Sequence, residues 1–485
     1  MKTNIEQYNS RELFYFLSSI FLLFYMLQIP LLTSNADVLV YSCKSLSESP
    51  ILKYAFLDQR SSLGKPILPN YHIAHTIILW AIYHISPDGL SNTIWPSGFV
   101  SAVSGGFIVG LTFLIWLELG LPKFTAFIVA VVVGFIPSIW YHNLIGEAYS
   151  LQLFSILLFL YLFLRNNIVL ATVAFLFAAL VSPISGLSFS LLLLAPRNKD
   201  SLIKAFTVGF FALLIYILIF YLIKGDILGA FLAVNPNRGD RSALWKIYKF
   251  SLIIILNINF FLFYLFKGCF VAWKRYKNHL NFLFIAITPQ LIFIFLDRQY
   301  LTELGDFLLL ILWALSFPIG LALTELKQKK TSVYLSFIGT VIISLTIWFL
   351  PNKQIATARN EAGYWLKQEI FEKMKIIGGW KNSIGISLAR YGWDFEKLSN
   401  NYFDKDNPNT SDLLKTGEKS LIIVSHRWNH LRVQLSKLPI SELEINKYDP
   451  SESIKNGLIQ RIFENDAVII YRWDKIPEDK MLEIQ

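Results

Sequence analysis

Glu12-Leu-Phe-Tyr-Phe-Leu-Ser-Ser-Ile-Phe-Leu-Leu-Phe-Tyr-Met-Leu-Gln-Ile-Pro-Leu-Leu-Thr33 is a nearly uncharged apolar run, and Ser34-Asn-Ala-Asp37-Val-Leu39 follows it directly. A run of about 20 such residues is long enough to cross a bilayer. It has no small-residue cleavage site after it, so it reads as a retained span rather than a signal peptide. Asp37 is then a carboxylate just outside a first membrane span.

The rest of the chain extends that reading. Of 485 residues, 54% are hydrophobic, 40 are Phe and only 16% are charged. A soluble globular domain carries about 25% charged residues, so the composition suits a polytopic membrane protein. Apolar segments fall at about 12–33, 97–117, 124–141, 149–165, 168–182, 184–195, 204–223, 246–266, 280–296, 306–324 and 332–350. Around Ser182-Pro183-Ile-Ser-Gly186, one broken helix is an alternative to two short ones. The expected fold class is an all-α polytopic membrane protein of about eleven transmembrane helices, with a small C-terminal α/β domain outside the membrane.

Tyr71–Ile85 decides the topology. It is apolar but short, and it carries His72, His75 and His84. Read as a span, it puts Asp37 and Glu147 on opposite faces; read as a helix lying at the interface, it puts them on the same face. Lys and Arg concentrate in cytoplasmic loops. With the interfacial reading, the inner segments hold fourteen basic and five acidic residues, an excess of nine out of a net charge of +10. The outer loops balance, and the tail contributes one. The charge therefore favours a plasma (inner) membrane protein with a cytoplasmic N-terminus and an extracytoplasmic C-terminus. It also explains the basic balance without nucleic acid. Ser34 and Asn143 are expected outside, each reachable by an impermeant thiol reagent once replaced by cysteine.

The predicted domains are 1–350 in the membrane, including the first outer loop at 34–96, and 351–485 outside it. In the tail a helix-like stretch covers Thr357–Ile377, with β-like runs at Ser383–Leu388, Ser420–Val424 and Ala467–Tyr471. Cys43 and Cys269 fall on opposite sides of the membrane in this topology, so no disulfide joins them, and neither has a metal-ligand spacing.

The outward face collects polar residues at helix ends, where a carboxylate next to apolar surroundings is a candidate general base. Asp37 and Glu147 stand out. Each has a plainer reading, Asp37 as a cap or headgroup-layer residue and Glu147 as the first acid of the next span, favoured by the helix dipole. Arg298, in Leu296-Asp-Arg-Gln-Tyr-Leu301, suits a phosphate because guanidinium binds phosphate oxygens as a fork. A salt bridge to Asp297 or Glu303 is its alternative. His72 and His75 share a helix face at i, i+3, but no further ligand spacing supports a metal. Gly105-Gly106 reads as a close helix contact.

These features resemble the membrane glycosyltransferases of the GT-C fold, particularly the protein O-mannosyltransferase and aminoarabinose transferase types. The resemblance rests on Asp37 directly after the first span and on the interfacial stretch Pro66-Ile-Leu-Pro-Asn-Tyr-His-Ile-Ala-His75. It rests further on the small residues Ser101-Ala-Val-Ser-Gly-Gly106, the second-loop acid in Pro137-Ser-Ile-Trp-Tyr-His-Asn-Leu-Ile-Gly-Glu-Ala-Tyr149, and Asp297-Arg-Gln-Tyr-Leu301. It implies an inverting glycosyltransferase that moves a sugar from a polyprenyl-phosphate donor to a lipid, glycan or protein acceptor on the outer face, within membrane lipid. Asp37 and Glu147 would be catalytic. Arg298, Tyr300, Arg238 and Arg241 would hold the donor phosphate, and His72, His75, His142 and Tyr149 would line the acceptor pocket. No cofactor is expected. The family often pairs Asp with Glu or uses Asp-x-Asp in the first loop, whereas Val, Leu and Val follow Asp37 here, so the sequence supports no divalent metal. The competing function is a transporter or flippase for a lipid-linked glycan. The scarcity of charge in mid-span and the absence of a clear inverted repeat argue against it.

Overall fold

A computed structural model describes residues 9–29, 59–60, 66–68, 72–87, 95–194, 199–224, 243–275, 277–296, 308–325 and 330–366, and five strands in the tail. The chain forms two compact units. One comprises Met1–Ile29, Tyr71–Ile78 and Gly98–Trp348; the other comprises Pro30–Asn70, Leu79–Ser97 and Phe349–Gln485.

Helix α1, Ser10–Met26, begins with a capping box in which the Asn9 amide donates to Glu12 Oε2 (3.0 Å) and Asn9 Oδ1 accepts from the Arg11 amide (3.1 Å). Its buried face holds Leu13, Leu17, Phe21 and Tyr25, while Tyr15, Phe16, Ile20 and Leu23 are exposed, as expected of a helix between protein and lipid. After it come the short strands β1 (Gln59–Arg60) and β2 (Pro66–Leu68), which pair antiparallel, and helix α2, Ile73–Ile85.

Helix α3, Trp95–Glu118, crosses α1 closely. A Cβ on Gly106 would lie 2.6 Å from the Ser18 carbonyl oxygen, and one on Gly110 would strike Ser18 Oγ. The spacing Gly106-Phe-Ile-Val-Gly110 is the small-residue pattern that lets membrane helices touch backbone to backbone. At its other end α3 is clamped to α12, Leu309–Glu325. Trp116 and Trp313 stack at 4.4 Å and exchange donors: Trp116 Nε1 to Ser316 Oγ and Trp313 Nε1 to Thr112 Oγ1, both at 3.0 Å. Two indoles are buried there with both N–H groups satisfied.

The expected segment 124–141 is not one helix. It divides into α4, Lys123–Gly134, and α5, Pro137–His142, because Pro137 cannot continue the hydrogen-bond ladder but suits a helix start. The carbonyls freed at the break are taken up: Tyr25 donates to Gly134 O at 2.7 Å, and Ser344 Oγ to Phe135 O at 3.2 Å. Helices α6, Ala148–Leu164, and α7, Ile168–Val181, pack as a hairpin around Phe159, Phe163 and Phe175. At Ser182 the chain turns extended, and Pro183–Leu194 continues as a separate 3-10 segment packed back on α7. The two-segment reading of that region is the one found.

Next come α8, Lys199–Lys224, and α9, Ala243–Ile258. The expected span 246–266 is kinked. Asn259 takes a left-handed backbone (φ 37), which Asn tolerates, and its Oδ1 accepts from Thr340 Oγ1 at 2.6 Å. Beyond a short 3-10 turn, α10 runs Leu262–Arg275, followed by α11, Lys277–Leu296, α12, and α13, Lys330–Ile343. By length and composition, two stretches among the described residues suffice to cross a bilayer, Trp95–Glu118 and Phe250–Lys274; the other apolar helices have 10–17 residues.

In the tail, a π-helical turn at Ser344–Phe349 leads into α14, Leu350–Leu366, and the chain is in strand β3 by Lys375–Gly378. The helix expected over Thr357–Ile377 therefore starts earlier and ends sooner. Strands β4 (Tyr402–Asp404), β5 (Ser420–His426), β6 (Ile459–Glu464) and β7 (Val468–Asp474) join it in a mixed sheet of order β4-β3-β5-β7-β6. The pairs β3–β4 and β3–β5 are parallel; β5–β7 and β7–β6 are antiparallel. The β5 and β7 runs were expected; the short β3 and β4 run beside their neighbours without a periodic signal of their own. The run at Ser383–Leu388 lies outside the described residues.

The closest helix contact tests the packing. A Cβ on Gly268 of α10 would fall on the Pro318 carbonyl of α12, which is backbone and cannot swing aside. Gly268→Ala should lower stability by about 1–3 kcal/mol despite the better helix propensity of Ala. Thermal unfolding in detergent measures it; an unchanged or higher melting temperature would mean that the two helices lie further apart.

Candidate active site

Asp37, Arg238, Arg241, Arg298 and Tyr300 lie outside the described residues, as does Ser34. The other predicted site residues, His72, His75, His142, Glu147 and Tyr149, come together in one unit. They arrive from three places in the chain: the start of α2, the end of α5, and the turn into α6.

That turn is held from several sides. The amide of Ser138, at the open N-terminus of α5, donates to Asn257 Oδ1 at 2.7 Å. Trp140 Nε1 donates to Gln28 Oε1 at 3.0 Å, and Gln28 Nε2 donates back to Phe24 O at 2.7 Å. Asn143 is wholly buried, its Oδ1 accepting from Ser150 Oγ at 2.7 Å. Its side chain occupies the space that a Cβ on Gly105 would take. Gly146 has φ 77, the left-handed conformation that glycine adopts without steric cost. Ser101 Oγ then donates to the Glu147 carbonyl at 3.3 Å.

Glu147 stands at the N-cap position of α6, yet its side chain makes no capping hydrogen bond there. The carboxylate turns instead toward His142, with Oε2 3.6 Å from Nδ1. That is an electrostatic contact, longer than a hydrogen bond. Glu147 is 5% exposed and His142 1%. The Tyr149 ring packs edge-on between two imidazoles, with centroids 5.5 Å from His142 and 6.5 Å from His72.

His72 Nδ1 lies 2.7 Å from the Val181 carbonyl, so that nitrogen carries the proton. Burial lowers the pKa of His72. Burial and then the nearby His72 push His75 down to about 3, partly offset by the Gly146 backbone. Both imidazoles are thus neutral at neutral pH. They suit hydrogen bonding to a polar neutral group such as a hydroxyl better than charge pairing with a phosphate. Among the described residues no three His, Cys, Asp or Glu side chains are placed to hold a metal ion.

Asn143 corrects one expectation. It was expected to face the outside water; instead it is wholly buried, packed against Gly105 and bonded to Ser150. A reagent would not reach a cysteine there, so it is the wrong position for labelling. The sequence reading also passed over Ser150, Gln28 and Asn257, and it took Ser101 only as part of a small-residue stretch. Gln28 and Asn257 show no periodic or motif signal, because each acts on a partner more than a hundred residues away.

No family model matches the sequence, and no curated protein sequence matches it. Solved structures do resemble the chain. The crystal structure of ArnT from Cupriavidus metallidurans bound to undecaprenyl phosphate superposes with a TM-score of 0.62 at 12% identity, covering 94% of this chain and 97% of that one. The arabinofuranosyltransferase AftD from Mycobacteria is also similar, with a TM-score of 0.44 and 12% identity over 91% of this chain and 40% of that one. The ArnT likeness spans nearly the whole of both chains and shows that the two share a fold, the GT-C fold.

Because Asn143 holds the turn, its supports should be felt in stability. Ser150→Ala should cost about 1–3 kcal/mol by leaving a buried amide oxygen without its donor. Gly105→Ala should cost at least as much by displacing Asn143. Melting of the purified variants in detergent measures both; wild-type melting of Gly105→Ala would show that Asn143 does not rest on α3.

Proposed function

We propose that this chain is a GT-C glycosyltransferase that moves a sugar from a polyprenyl-phosphate donor to an acceptor on the outer face of the membrane. The observation that carries the reading is the buried Glu147–His142 pair beside Tyr149, in a chain with the fold of ArnT, a protein captured with undecaprenyl phosphate. A carboxylate and an imidazole held together in apolar surroundings are groups able to accept and pass a proton.

In this proposal Asp37 takes the proton from the acceptor hydroxyl as it attacks the anomeric carbon. The bond to the donor phosphate breaks and configuration inverts. Glu147 orients the acceptor or shares the acid role with Asp37. The neutral His72 and His75, with His142 and Tyr149, line the acceptor side. Arg298, with Tyr300 beside it and Arg238 or Arg241 as helpers, meets the charge that builds on the departing phosphate. The membrane domain is 1–350, with the N-terminus cytoplasmic, and 351–485 is an α/β domain outside the plasma membrane. The charge asymmetry supports this orientation.

The first test is mass spectrometry of glycans and glycolipids in cells with and without the protein; identical profiles would overturn the transferase reading. Asp37→Asn keeps shape and polarity but cannot take the proton, so transfer should fall on the order of 10²-fold or more in a folded protein. Full turnover in that variant would make Asp37 structural. Glu147→Gln should also lower transfer. Arg298→Ala should weaken polyprenyl-phosphate binding and slow transfer together, and Arg298→Lys should rescue only part, because a point charge lacks the fork. Equal polyprenyl-phosphate affinity in wild type and Arg298→Ala would make Arg298 an ion-pair partner and move the phosphate site to Lys224, Arg238 or Arg241.

A further inference from the structure

Helix α10 has two different faces. One packs into the protein: Tyr264, Leu265 and Ala272 are buried, Gly268 rests on Pro318, and the Tyr264 hydroxyl meets Ser332 Oγ at 2.8 Å. The other carries a repeat. Phe263-Tyr-Leu-Phe266-Lys267 recurs seven residues later as Phe270-Val-Ala-Trp273-Lys274. Seven residues are about two helical turns, so the copies stand in line about 10 Å apart. All four aromatic residues are more than half exposed: Phe263, Phe270 and Trp273 at 59% and Phe266 at 70%. Each lysine lies over the phenyl ring four residues before it, Lys267 at 5.8 Å from Phe263 and Lys274 at 4.3 Å from Phe270.

The charge on this face has no answer nearby in the chain. From Arg241 to Leu296 there is no Asp or Glu at all. Among the described residues neither lysine forms an ion pair with a carboxylate. The stretch Phe250–Lys274 is long and apolar enough to cross a bilayer, so the pair of lysines stands toward one end of a span, where lipid headgroups lie. Exposed rings beside aligned cations match one kind of molecule: an anionic lipid, with its phosphate between the lysines and its acyl chains along the rings.

We infer that the Phe263–Lys274 face of α10 is a binding site for an anionic glycerophospholipid of the surrounding bilayer. The site is separate from the transfer chemistry and does not depend on the proposed reaction. The purified full-length protein, stripped of lipid and mixed with equal amounts of phosphatidylglycerol and phosphatidylcholine, should retain phosphatidylglycerol preferentially when examined by native mass spectrometry. Replacing both lysines, K267Q with K274Q, should reduce that preference about tenfold. The K267R/K274R pair should keep it, and K204Q, which removes a lysine bonded to Asn166 in the turn between α6 and α7, should leave it unchanged. Circular dichroism melting of each variant confirms folding. A wild type without preference, or a glutamine pair that keeps it, overturns the inference. So does a glutamine pair that loses retention of added undecaprenyl phosphate instead of phosphatidylglycerol, since the face would then serve the donor lipid.

Discussion

The side chain of Asn143 rests where α3 has none of its own. Gly105 leaves the space, Asn143 fills it, and Ser150 supplies the hydrogen bond that a buried amide oxygen needs. Everything at the candidate site hangs from that contact. Just before it, the short helix α5 is tied at Ser138 by Asn257 and at Trp140 by Gln28. Just after it, Gly146 turns the chain and Ser101 holds the Glu147 carbonyl. With both flanks held, the Glu147 carboxylate can be kept beside His142 in a region from which water is largely excluded. In such surroundings charges interact far more strongly than in water, so small displacements of this turn matter to the chemistry.

The helices around the site are sorted by what they touch. Where α3 meets α1 the surface is stripped down to glycine and serine, and where it meets α12 it is filled by indoles whose N–H groups find hydroxyls, Trp116 and Trp313. Lipid is as apolar as a leucine side chain, so hydrophobicity cannot choose between protein and lipid contact. Close fit and internal hydrogen bonds must do it. The outward faces of α1, α8 and α10 accordingly carry large exposed rings and aliphatic chains. In α10 the exposed rings stand beside lysines that repeat at a seven-residue spacing, which is why that face reads as more than a lipid boundary.

Breaks in the helices follow the same economy of hydrogen bonds. Backbone groups freed inside a bilayer must find partners within the protein. At Gly134 and Phe135 they find Tyr25 and Ser344; at Asn259 the side chain of the breaking residue bonds to Thr340. The interruption at Pro137 places α5 and the following turn, so it belongs to the construction of the site.

By itself the sequence determined the class of protein, most of the apolar segments, the charge asymmetry, the glycine contact on α3 and two of the tail strands. These are local properties: run length, composition and the spacing of small residues can be read without knowing what lies opposite. The helix break before Pro137 was legible in principle from the proline but was masked by unbroken hydrophobicity, which carries no record of hydrogen bonding. Only the tertiary structure decided that Asn143 is buried, that Glu147 turns to His142 instead of capping its helix, and that His72 joins them by way of Val181. Each of those outcomes rests on partners far along the chain, such as Asn257 for Ser138, 119 residues away, or Val181 for His72, 109 residues away. Polar side chains that act singly on distant partners leave no periodic pattern, so packing alone brings them together.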